Sequence, residues 1–110
     1  MVVIKIPKEI KVGSHTYRLW FDEREDDGNF RGTILHSKRE IMLNPKLHQQ
    51  DLRVTFLHEI VHALNKAYSQ NLPEDDVSVL GEALGTLLFS ILDIDFDFSD
   101  VPTRKVEGRE

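Results

Sequence analysis

Apolar and polar residues alternate along the first part of the chain and recur at helical spacing along the second. In HTYRLWF (15–21), Tyr17, Leu19 and Phe21 alternate with Thr16, Arg18 and Trp20, the period of a strand with one buried face. KEIKV precedes it, and the intervening Gly13-Ser14 suits a two-residue hairpin turn. DEREDDGN (22–29) is acidic, carries Asp27-Gly28 turn chemistry and reads as a solvated loop. FRGTILH and REIML then form a second pair of short strands around Ser37-Lys38, and Asn44-Pro45 closes the strand region.

From about Asp51 to Tyr68 the period changes to that of a helix. Leu57, Ile60, Val61, Leu64 and Tyr68 share one arc, widened by Phe56, Ala63 and Ala67. SQNLPEDD (69–76) interrupts the pattern. Pro73 suits a helix start, and Glu74, Asp75 and Asp76 suit the positive end of its dipole. A second helix is expected to about Leu92, with Val77, Leu80, Leu84, Leu87, Leu88 and Ile91 on its core side. Beyond it the helical period is lost. The stretch from Asp93 suits a strand or a lid, Phe89, Phe96 and Phe98 suit the core, and residues 101–110 are expected to be disordered. The fold class is therefore α+β: a small, mostly antiparallel N-terminal sheet packed on two helices, in one domain over 1–100.

Composition narrows the chemistry. The 110 residues suffice for one modest core, with 40% hydrophobic and 30% charged positions. Net charge is −5 and no basic cluster stands out, which argues against a nucleic-acid partner. The start, MVVIKIPKEI, is too short and too interrupted for a signal sequence. The longest apolar-rich run carries Glu82 and falls short of a membrane span, so a soluble, cytoplasmic protein is expected. With no cysteine, any bound metal must be held by His, Asp or Glu.

Such a site is suggested by HEIVH, residues 58–62, in mid-helix. Residues four apart are neighbours on a helix, so His58 and His62 can converge on one ion. Glu59 then stands where a general base takes a proton from water attacking a carbonyl. Zn²⁺ needs a third protein ligand and an open position for catalysis. No histidine follows the motif, so a downstream third ligand is a carboxylate. Glu74, Asp75 and Asp76 are accounted for as helix-start charges. Glu82 is singled out because it interrupts an apolar run and is flanked by Gly81 and Gly85, which suggest close helix approach.

HEIVH followed by Glu82, with nineteen residues between His62 and Glu82, resembles the gluzincin metallopeptidases, of which thermolysin is the familiar member. In size and order the chain is similar to compact zincin-like proteins of phages and mobile elements, and more loosely to the ImmA/IrrE type. The resemblance implies a minimal zincin-like fold, one Zn²⁺ per chain on His58, His62 and Glu82, and Glu59 as catalytic base. It also implies an edge strand, GTILH or REIML, that holds an extended peptide or protein substrate by backbone pairing. Two features depart from the pattern. The acidic residue expected four places after the glutamate ligand is Thr86, and no His or Tyr follows Tyr68 to stabilise an oxyanion. Tyr68, His36 and His15 are the available substitutes.

The expected function is a zinc-dependent metallopeptidase, a hydrolase acting through metal-activated water. One alternative is a non-catalytic zincin-fold zinc-binding or regulatory module working through a protein partner. Another is a metal-free structural protein in which HEIVH is incidental. Glu59 favours the enzyme, because metal binding alone does not require it.

Overall fold

A computed structural model describes residues 1–23 and 30–104. The acidic turn expected at 24–29 and the tail 105–110 lie outside the described residues. The strands are β1 (Val2–Lys5), β2 (Glu9–Val12), β3 (His15–Asp22), β4 (Gly32–Leu35), β5 (Glu40–Leu43), β6 (Ile94–Asp97) and β7 (Thr103–Arg104). Helix α1 spans Gln49–Ala67, and α2 spans Glu74–Gly85 and continues as a π-helical turn over Thr86–Ile91. The α+β class is as expected, and among the described residues no helix is long and apolar enough to cross a membrane.

The Gly13-Ser14 turn forms as read. Val12 pairs with His15, and Gly13 has a φ of 62°, a conformation that costs glycine little. The main sheet runs β2-β3-β5-β4, with β7 added beside the end of β3. It is more mixed than expected. The β2–β3 and β4–β5 pairs are antiparallel, but β3 pairs in parallel with both β5 and β7. The reason is topological: β4 crosses to the sheet edge, and β5 returns between it and β3. A separate parallel pair joins β1 to β6.

One face of the sheet buries Tyr17, Leu19, Ile41 and Leu43 against Leu52, Phe56, Leu57 and Ala63 of α1. Phe56, Phe96 and Phe98 meet edge to face at 5.5–6.1 Å between centroids, a favoured aromatic geometry that ties β6 and the residue after it into this core. Gly32 brings β4 tight onto α1, since a Cβ there would lie 2.7 Å from Thr55 Cγ2.

Three expectations are corrected. The stripe assigned to the core side of α2 is only half right: Val77 is buried and Leu84 and Leu88 pack against the core, but Leu80 and Leu87 are each 42% exposed and Ile91 68%. The fully buried line of α2 is Val77, Gly81 and Gly85, one position per turn, so glycines stand where leucines were expected. Gly81 explains the choice, because a Cβ there would sit 3.3 Å from His58 Cα, so the helices approach too closely for a leucine ridge. Residues 101–104 are ordered, not part of a loose tail. Val101 is buried, β7 pairs with β3, and Arg104 bonds Glu40 at 2.9 Å while lying over Trp20. Tyr68, placed on the core arc by its period, is 63% exposed where α1 ends.

Candidate metal centre

His58 and His62 lie one turn apart on the face of α1 turned toward α2. Their Nε2 atoms are 3.2 Å apart, and both imidazoles are about half-way into the surface. A carboxylate completes the group: Glu74 Oε1 is 3.0 Å from His58 Nε2 and 3.1 Å from His62 Nε2. Glu74 is the first residue of α2. The link that delivers it is short and pinned. Ser69 turns the chain at a φ of 54°, and the Asn65 side chain accepts from the Leu72 N–H at 3.3 Å and donates to its carbonyl at 3.4 Å. Asn65 belongs to the same helical stripe as His58 and His62, so one edge of α1 both carries the imidazoles and positions their third partner.

Hydrogen bonding alone does not explain this group. Each neutral imidazole has one N–H, and Glu74 Oε1 only accepts, so at most two of the three edges can be hydrogen bonds. A cation among the three donors satisfies all of them at once. The edges of 3.0–3.2 Å lie close to the separation of about 3.3–3.4 Å between neighbouring donors of a tetrahedral zinc site. His58, His62 and Glu74 can therefore hold a metal ion.

Glu59 faces a cavity of about 520 Å³ on the His58 side of this group, beside Thr55, Gly32 and Ser78. It is only 6% exposed, and its carboxylate has no hydrogen bond to another described residue. Burial pushes its pKa above the ordinary value, the nearby imidazoles oppose that shift, and Glu74 adds to it. A buried carboxylate without an internal partner, open to a cavity, is available to a proton outside the protein.

Glu82 lines the same cavity but is exposed and is not gathered with the histidines. Glu74, Ser78 and Glu82 fall on successive turns of α2, which puts Glu82 about 12 Å beyond Glu74 along the axis. The Thr86 hydroxyl donates to the Glu82 carbonyl at 3.2 Å and so supports no histidine. Sequence reasoning passed over Glu74 because a helix-start charge explained it. The short Ser69–Pro73 link was the usable signal, since it forces the start of α2 against the last turns of α1.

Of the three substitutes for an oxyanion donor, His36 alone borders the centre. It shares a second cavity, about 480 Å³, with His62, and its Nδ1 is 3.1 Å from the Tyr17 hydroxyl. Burial, then Lys66 and His62, hold the His36 pKa below the usual histidine value. Tyr68 is at the exposed end of α1, and His15 opens β3 in the hairpin, lining neither cavity. Of the two strands expected to meet a peptide, β4 is the sheet edge and β5 is interior. One end of β4 reaches the first cavity at Gly32, and His36, just past its other end, reaches the second. No family model, curated protein or solved structure matches the chain.

Proposed function

We propose that the protein is a zinc-dependent peptidase in which His58, His62 and Glu74 hold the metal and Glu59 is the general base. The observation that carries this reading is the closed triangle of two imidazole nitrogens and a carboxylate oxygen beside the buried Glu59, whose carboxylate has no hydrogen bond among the described residues. The HEIVH motif and the zincin-like resemblance support it, with the third ligand moved from Glu82 to Glu74. Two histidines and one carboxylate are a recurrent catalytic zinc set, and the chain has no thiolate to compete. Bound zinc would supply Lewis acidity toward water and the scissile carbonyl.

The residues do the rest. An extended peptide adds to β4, the outermost of the described strands on that side of the sheet, and is carried past the histidines by backbone pairing. Glu59 accepts the proton of the attacking water, holds it on its carboxyl group and returns it to the departing amine. Burial suits Glu59 to both halves of that transfer, because a pKa raised toward the working pH makes it a better base and a readier donor. A buried carboxylate opening on the cavity favours this reading over a non-catalytic zinc module, since metal binding alone does not require it.

The test is zinc per chain by plasma mass spectrometry for the wild type, Glu74→Gln and Glu82→Gln. The wild type is expected near one zinc, Glu74→Gln at least about tenfold weaker in affinity, and Glu82→Gln close to wild type. Loss in Glu82→Gln alone would return the third ligand to that residue. A wild type that takes up no added zinc would end the metal reading.

A further inference from the structure

The two cavities flanking the histidines differ in charge. The one on the His58 side includes Glu59 and Glu82. The one on the His62 side is lined by His36, His62, Asn65, Lys66, Ser69, Gln70 and Asn71, with no carboxylate among them. In a chain of net charge −5 that is the unusual side. Lys66 is exposed there and has no carboxylate partner among the described residues.

His36 adds a fixed donor. The Tyr17 side chain is buried, and its hydroxyl has one hydrogen-bond partner among the described residues, His36 Nδ1. A buried O–H needs an acceptor, so Tyr17 donates and Nδ1 accepts. The single proton of a neutral imidazole then resides on Nε2. The low pKa of His36 is consistent with that neutral form. An imidazole N–H and the Lys66 ammonium thus serve one polar cavity that adjoins a proposed metal ligand.

We infer that this second cavity is a carboxylate subsite, taking an acidic side chain or the terminal carboxylate of the peptide held at the metal centre. The inference rests on the peptidase reading for its substrate, but its recognition groups are independent of the metal. Charge-assisted bonds from Lys66 and His36 would hold the two oxygens, and β4, which ends one residue before His36, would guide the peptide into place. The substrate class is then a peptide with a negative charge on the His62 side of the cleaved bond.

The experiment titrates two peptide pairs into the full chain while following the His36 ring signals by NMR, zinc-loaded and again after zinc removal. One pair is acetyl-Ala-Ala-Glu-Ala-Ala-amide and its Gln counterpart. The other is acetyl-tetraalanine as the free acid and as the amide. The carboxylate member of at least one pair is expected to shift His36, with its neutral counterpart silent. A response confined to the free acid identifies the chain end as the ligand, and one confined to the Glu peptide identifies a side chain. Lys66→Gln, an exposed change that leaves the core intact, is expected to weaken binding about tenfold. Tyr17→Phe is expected to weaken it less, by freeing the ring. Equal shifts with neutral peptides, no shift with any peptide, or full affinity in Lys66→Gln would overturn the subsite. The zinc-free arm separates this result from the metal question, since the cavity can be scored even if no zinc binds.

Discussion

At the scale of single residues, the site is a division of labour between neighbours on one helix. His58 and His62 point their Nε2 atoms at a shared partner, while Glu59, between them in sequence, turns into the protein. A step of about 100° per residue produces that division without special design. Glu59→Gln keeps the shape, removes the proposed base and leaves His58, His62 and Glu74 in place. It is expected to retain about the wild-type zinc content and to lose about 10²–10⁴-fold in peptide hydrolysis. Zinc analysis and cleavage of a casein-type general substrate measure both. Unchanged cleavage would remove Glu59 from the mechanism.

At the scale of elements, glycines decide what meets what. Gly81 lets α2 rest on the backbone of His58, and Gly32 lets β4 rest on Thr55. An alanine at 32 would place its Cβ 2.7 Å from the Thr55 methyl, which is buried on a β-branched side chain with little freedom to move. Gly32→Ala is therefore expected to lower stability by about 1–3 kcal/mol in urea unfolding. Stability at the wild-type level would show that the β4–α1 contact is looser than described. The same small residues explain why Leu80, Leu87 and Ile91 of α2, expected on its core side, are exposed while Val77, Leu84 and Leu88 pack inward. Apolar period marks a face suited to burial, but two glycines and a valine allow closer approach and took the interface.

At the scale of the whole molecule, the small β1–β6 sheet is fastened to the helical layer through Asp95. Its carboxylate accepts from Arg53 at 3.0 Å and from Gln49 at 3.2 Å, and Arg53 lies over Phe89. Burial alone would raise the Asp95 pKa, but bonds from Arg53, the Phe96 N–H and Gln49, with the Arg53 charge, hold it below the ordinary value. A carboxylate depressed in the folded state stabilises above its unfolded pKa of about 3.9 and loses that contribution as pH falls through the folded value. Asp95→Asn is expected to cost about 1–2 kcal/mol at pH 7, with the gap to wild type closing below about pH 4 in thermal or urea melts. A gap that stays constant with pH would mean that the carboxylate charge is not what fastens the sheet.

The sequence by itself determined the four strands between residues 9 and 43 followed by two helices, the Gly13-Ser14 turn, and the placing of His58, Glu59 and His62 on one helix, because these depend on local period and spacing. It did not determine which carboxylate meets the imidazoles, which strand is the edge or which face of α2 is exposed. Those depend on which surfaces meet across the chain. In one dimension Glu74 is explained as a helix-start charge and Glu82 is the carboxylate that stands out. Only the pinned Asn65–Leu72 link and the close glycine contact bring Glu74 to the imidazoles and leave Glu82 two turns away.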